Sequence, residues 1–327
     1  MSDKALARSA LTRLILRRLA VGILMLFMVS LIIFFATQAL PGDIARQLLG
    51  QNATEDQLAR VRAELGLDRP VLLQYLDWIG GLLTGDLGTS LASGTPVVEL
   101  LAVRIGNSAT MLLIAALIVL PLGMVLGTIA ARRPGGAIDA VISTTMQLIL
   151  ALPEFIVGIL LILLLAGGAL RVLPPTSPID PRESIWAQAD LLVLPVATLV
   201  LIALPHLAES VKTLVRDELA SDAVRWARLS GVRESRTLFR HALPNVLGPT
   251  AQVAGVTVNY LIGGAVAVET VFAYPGIGSA LVSAVANRDI VVVQVIGMGI
   301  ALVLFVTFLV ADFIGYLVEP RLREGRA

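Results

Sequence analysis

Long apolar runs separated by short polar segments dominate the chain. Leu19–Leu40 is a 22-residue apolar run preceded by Lys4, Arg8, Arg13, Arg17 and Arg18. Ala109–Ala131 and Val246–Val268 are each 23 residues without a charge, and Ile290–Ala311 is 22 residues without one. Ala140–Leu170 is longer and carries a single charge, Glu154. Leu191–Leu207 is the weakest run and is interrupted by Pro195 and Pro205. An α-helix rises ~1.5 Å per residue, so ~20 apolar residues cross the ~30 Å hydrocarbon core of a bilayer. Six spanning helices are therefore expected. The first run exceeds the ~7–15 apolar residues of a cleaved signal peptide, which favours an uncleaved first span.

Shorter patterns fill the gaps. Thr54 with Gln57 three positions on marks a helix start, Leu58, Val61 and Leu65 form its apolar stripe, and Gly66 stops it. Pro70–Leu83 reads as a second helix, with Tyr75 and Trp78 suited to a membrane interface. Arg171–Asp190 is proline-rich and expected to be irregular. The polar segment Val211–Leu243 is too long for a turn. Ser221 or Asp222 caps a short helix, Ala223–Ser230, that stops at Gly231; a second, Glu234–Ala242, ends at Pro244. Two short helices hinged at a glycine form a bent knob carrying Trp226 and several arginines, residues that dominate protein–protein contacts. The alternative is a solvated basic loop beside anionic lipid.

Composition supports a membrane setting. Of 327 residues, 57% are hydrophobic and 15% charged, against about a quarter charged in soluble domains. Charge then sets the orientation. Seventeen of the 25 Lys and Arg fall on the side of the N-terminus and eight on the other, which puts both termini in the cytoplasm by the positive-inside rule. Residues 1–40 are thus read as the N-terminus and first span, 41–100 as an external segment, 101–320 as a five-helix core that includes the cytoplasmic loop 211–244, and 321–327 as a cytoplasmic tail. A net charge of +1 gives no case for nucleic acid.

Candidate chemistry is sparse. There are no cysteines, and the two histidines, His206 and His241, are both placed near the cytoplasmic face. Neither a zinc site nor a Ser/His/acid set follows from them. The only lysines, Lys4 and Lys212, do not follow glycine, so no phosphate-cradling P-loop is present. Gly276-Ile277-Gly278 lies between apolar spans and is no dinucleotide fingerprint. Gly123 and Gly127 form a GxxxG, read either as close helix packing or as chance. Glu154 is costly near mid-membrane and is expected to face a cavity, a solute's amino group or a neighbouring helix.

The knob also carries a recognisable pattern. Arg225-Trp226-Ala227, three residues, Gly231, nine residues, then His241-Ala242-Leu243-Pro244 resembles the EAA loop of binding-protein-dependent ABC importer permeases. Trp226 and Leu229-Ser230 depart from the usual wording. Ala39–Asp43, Glu64–Asp68, Gly85–Ser90, Glu269–Phe272 with Pro275–Gly278, Arg288-Asp289 and Val292–Gln294 extend the resemblance over nearly the whole chain. The combination resembles the B-type permease of dipeptide, oligopeptide and nickel ABC transporters, a bacterial or archaeal inner-membrane subunit. It implies an all-α integral membrane protein with six transmembrane helices in the type I ABC importer permease fold, and a mostly helical external segment after the first helix. It also implies partners: a homologous C-type permease, two ABC ATPase subunits, an external solute-binding protein and membrane lipid. ATP and Mg would be bound by the ATPases, with no cofactor in this chain. Arg225, Trp226, Ala227, Arg228, Gly231, His241, Leu243 and Pro244 would form the ATPase-coupling site. Two other classes compete. An ion-coupled carrier needs more intramembrane ionisable groups than Glu154, and a membrane-bound enzyme lacks a catalytic set. Dipeptides, longer peptides, glutathione, nickel chelates and metallophores all fit as solutes.

Overall fold

The computed structural model describes residues 3–39, 53–64, 68–167, 172–180 and 182–318, with Arg46 and Leu49. Gly66, Leu40 and the tail 321–327 lie outside them. Helix α1, Asp3–Gln38, holds the first apolar run from Leu19 to Gln38 and begins well before it. Helix α2, Glu55–Glu64, starts where expected: the Thr54 backbone N–H donates to Gln57 Oε1 at 2.9 Å, and the Gln57 N–H donates back to Thr54 Oγ1 at 3.4 Å. Helix α3, Val71–Thr84, closes on Gly85 with φ 83°. It is fastened to α1 by Ser30 Oγ and Tyr75 Oη, 2.8 Å apart, and by Phe34 against Tyr75 and Trp78.

The central pair is α4, Val97–Arg132, and α7, Ala189–Leu219. Met111, Ala115 and Val119 follow one face of α4 and are fully buried with Leu199 and Ala203 of α7. The GxxxG resolves as packing inside the chain. A Cβ on Gly123 would lie 2.5 Å from Leu207, and one on Gly127 2.5 Å from the Ala208 carbonyl and 2.8 Å from Val211. Absent side chains let the two backbones close up. Leu191–Leu207, the weakest run in the sequence, is therefore the heart of the bundle. It tolerates Pro195 and Pro205 because neighbouring helices surround it.

Two expectations change. The Ala140–Leu170 run is not one straight helix. It is α5, Ala137–Leu150, and α6, Glu154–Leu161, which continues as a π-helix to Gly167, with a bend of 104° between them. Pro153 has no N–H to donate and disfavours helix at Leu152. The second correction concerns the knob. Val211–Leu219, the head of the polar segment, continues α7, and the knob begins at Ser221, where its cap was expected. Its second helix does not end at Pro244. Helix α9, Glu234–Thr237, passes through a π turn, Leu238–Ala242, into α10, Leu243–Val271. Pro244 sits in the first turn of α10, directly after the π turn. Of the Arg171–Asp190 region, the described residues 172–180 and 182–184 are irregular as expected, and a 3₁₀ turn at Ile185–Gln188 leads into α7. Helices α11, Ile277–Ala286, and α12, Ile290–Val318, complete the bundle. Among the described residues five helices are long and apolar enough to cross a bilayer, and the count reaches six where the bent pair is taken as one broken span.

Candidate functional site

The knob is built outward from a buried floor. Helix α8, Asp222–Leu229, is capped by the Ser221 hydroxyl, which accepts from the Val224 N–H at 3.4 Å. Gly231 ends it at φ 77°. The Val232 N–H donates to the Ala227 carbonyl at 3.1 Å and the Gly231 N–H to Arg228 at 3.0 Å, the paired bonds of a Schellman turn, which favours glycine at this position. Arg228 braces the turn from outside, with Nε 2.9 Å from Glu234 and a bond to the Leu219 carbonyl at 3.2 Å.

Each helix of the knob has an inner and an outer face. Val224, Thr237, Leu238 and Ala242 are buried against Val211 and Val215 of α7 and Val246 of α10. Trp226, Leu229 and Phe239 point out, with relative exposures of 71%, 74% and 68%. Arg225, Arg228, Gly231, His241 and Pro244 are exposed as well, while Ala227 and Leu243 are half-buried. A large apolar surface rimmed by arginine, on a rigid base, is the form of an interaction site. Leu229 and Phe239 escaped the sequence reading. Each is a large apolar residue left exposed on the same knob as Trp226.

A clamp lies close above the knob. Lys212 Nζ is 2.5 Å from Asp139 and 2.6 Å from Ser143, and the Gly135 N–H donates to Asp139 at 2.9 Å. This ties the start of α5 to the end of α7 with one of only two lysines.

At the opposite end two buried carboxylates organise the loops. Glu269 of α10 is fully buried; it accepts from Ser108 Oγ at 2.5 Å and from the Ser279 N–H at 3.0 Å. Gly276 and Gly278 make room for it. A Cβ on Gly276 would fall within 2.4 Å of the carboxylate, and one on Gly278 would meet the Val266 backbone at 2.5 Å. Burial, and next the Glu269 charge, push the Tyr274 phenol above its usual range, so it stays protonated and donates to the Asn107 carbonyl at 2.8 Å. Asp289 accepts from Ser90 Oγ at 2.5 Å and from the Leu91 and Ala92 N–H groups. It thus fixes the turn after α3 to the start of α12. In the sequence these residues were motif letters without roles.

Glu154 and His206 are placed differently from expectation. Glu154 opens α6 directly after the bend and is half-buried, rather than standing midway along a straight span. Its Oε2 lies over Gly264 of α10, 3.3 Å from where a Cβ would be, and the Tyr260 phenol faces its carboxylate. His206 is not at the end of its helix. It lies inside α7, with its ring centroid 4.5 Å from that of Tyr260. A cavity of about 1050 Å³ between α1, α3, α4 and α12 is lined by apolar groups such as Ile23, Leu101, Ile105 and Val303. Ser30, Ser108 and Glu269 reach it already hydrogen-bonded, so it lacks free groups to recognise a polar solute.

Residues 121–324 match the family described as the binding-protein-dependent transport system inner membrane component, and residues 11–101 match its N-terminal companion. The probable peptide ABC transporter permease protein y4tP of Sinorhizobium fredii is 33% identical over 309 residues, covering 94% of this chain and 98% of the relative. The oligopeptide transport system permease protein AppB of Bacillus subtilis is 31% identical over 311 residues, with the same coverages. The dipeptide transport system permease protein DppB of Lactococcus lactis is 29% identical over 314 residues, covering 96% and 100%. Among solved structures, a chain of the MetNI methionine ABC transporter superposes with a TM-score of 0.50 at 17% identity, covering 68% of this chain and 98% of that one. That likeness shows the fold, a type I ABC importer permease. On these matches and this helical plan, the chain belongs to the inner membrane components of binding-protein-dependent transport systems, the permeases of ABC importers.

Proposed function

We propose that this permease forms half of the translocation pathway of a peptide importer and receives the work of separate ATPase subunits through its knob. The observation that carries the coupling role is the exposed Trp226, Leu229 and Phe239 face, held on a floor of buried Val224, Leu238 and Ala242. A mobile loop would absorb a push. A capped helix seated on two spans passes it on. The 17-to-eight distribution of basic residues supports a cytoplasmic knob and cytoplasmic termini, where ATPases reside. Peptide as solute rests on the named relatives, which are peptide, oligopeptide and dipeptide permeases. The pathway is completed by a homologous permease, and segment 41–100 faces an external solute-binding protein. ATP and Mg belong to the ATPases, and this chain contributes helices and contacts rather than catalysis.

The test is co-purification of the assembled importer. Trp226→Ala removes the largest anchor of the face, and hot-spot aromatics are worth about 2 kcal/mol or more, roughly a thirtyfold loss of affinity. ATPase subunits are expected to dissociate while the two permeases stay together. Full retention of the ATPases and of transport by a Trp226→Ala, Phe239→Ala double variant would refute the coupling role.

A further inference from the structure

Three polar side chains from three spans meet inside the bundle. Glu154 follows the 14-residue α5, about 21 Å along the helix from its start. His206 is near the midpoint of the 31-residue α7, and Tyr260 lies past the midpoint of the 29-residue α10. The phenol faces the carboxylate, and the imidazole ring stands 4.5 Å from the phenol ring at 57°. Gly264, one turn after Tyr260, leaves the space that the carboxylate occupies. None of the three is fully buried, and His206 is exposed. Accessible polar groups at mid-bilayer depth do not face hydrocarbon; they face a water-filled pathway or a partner helix.

We propose that Glu154, Tyr260 and His206 form a way-station for a primary ammonium group in the translocation pathway. The inference rests on the importer reading above and narrows its solute. An ammonium has three N–H donors. The cluster offers three kinds of acceptor: a carboxylate oxygen, a phenol oxygen and an imidazole nitrogen. The Tyr260 ring adds a π face for a cation. A metal ion is the poorer fit. Divalent cations want several oxygen, nitrogen or sulfur ligands, and among the described residues no group of three or more His, Cys, Asp or Glu converges. One half-buried carboxylate also suits a site that must release its cargo. The α-amine of a peptide and a lysine side chain share this chemistry.

The test uses the complete importer in proteoliposomes with its own binding protein. Uptake is compared for a free-amine peptide, its N-acetylated form and an N-acetylated peptide containing lysine, in wild type and in Glu154→Gln. Using one binding protein throughout cancels its own preference in the ratio between variants. The free-amine to acetylated ratio is expected to fall about tenfold in Glu154→Gln, the factor given by ~1.4 kcal/mol, with ATP hydrolysis unchanged. Tyr260→Phe is expected to lower it about threefold and serves if the Glu154 variant fails to assemble. A parallel drop for the acetylated lysine peptide assigns the site to any ammonium, and no drop there assigns it to the α-amine. An unchanged ratio in both variants overturns the way-station alone, as does loss of the partner permease on Glu154→Gln with transport selectivity intact in Tyr260→Phe. Failure of wild type to import any peptide overturns the peptide reading itself.

Discussion

Gly127→Ala separates two opposing effects by sign. In an isolated helix the change is favourable, since alanine exceeds glycine in helix propensity by about 0.8–1 kcal/mol. Here the new Cβ would lie 2.5 Å from the Ala208 carbonyl oxygen and 2.8 Å from the Val211 Cβ. Ordinary contact begins near 3.4 Å, so α4 and α7 must part by close to 0.9 Å. Neither obstacle can step aside: one is backbone, the other a β-branched carbon on the central helix. Overpacking of this kind costs about 1–3 kcal/mol, and separating the helices also loosens contacts around Val211 and Leu207, which are fully buried. The net expectation is destabilisation by up to about 2 kcal/mol. Gly106 is the control on the same helix, because a Cβ there meets nothing within 4 Å. Thermal unfolding of the detergent-purified subunit, followed by the monodisperse fraction after heating, should place Gly127→Ala below wild type and Gly106→Ala at or above it. If Gly127→Ala matches or exceeds Gly106→Ala, the tight α4–α7 seam is wrong.

Other perturbations address the remaining anchors. Glu269→Ala strands the Ser108 hydroxyl and the Ser279 N–H and should cost about 2–4 kcal/mol, read as early loss of fold on heating; wild-type stability would remove its organising role. Lys212→Met leaves Asp139 without its ion pair and should cost about 3 kcal/mol, whereas Lys212→Met with Asp139→Leu should recover most of it in a double-mutant cycle. Ser90→Ala removes a bond to the Asp289 carboxylate, worth about 1.5–3 kcal/mol, and should speed protease cleavage in the turn 85–97; an unaltered cleavage rate would argue against that tie.

Much of this architecture was legible in the apolar pattern, because a bilayer demands long uncharged helices and punishes every exception. The Thr54 cap and the Gly231 stop were equally legible, since each depends on residues at most a few positions apart. What stayed hidden needed three dimensions. The bend at Pro153 left no mark in the apolar count of its run, yet its 104° turn moves Glu154 to a helix start. Pro244 looked like a stop, yet proline in a first helical turn is a start signal too, and the sequence does not say which. His206 looked peripheral because the polar segment was taken to begin at Val211, whereas α7 runs on to Leu219. Glu269 and Asp289 act across 161 and 199 positions, separations over which local pattern is silent.

The uninterrupted run from α9 through α10 gives the molecule a pushrod. Glu234–Val271 is 38 residues long, about 57 Å at ~1.5 Å per residue. Its lower end carries Phe239 of the knob, and its upper end carries Glu269, where α4 and α11 are bolted on. A displacement at one end is delivered to the far mouth within one piece of backbone. The π turn at Leu238–Ala242, Pro244 and Pro249 are weak joints built into it. On the proposed coupling role, softening these joints is expected to let ATP hydrolysis continue with transport lost.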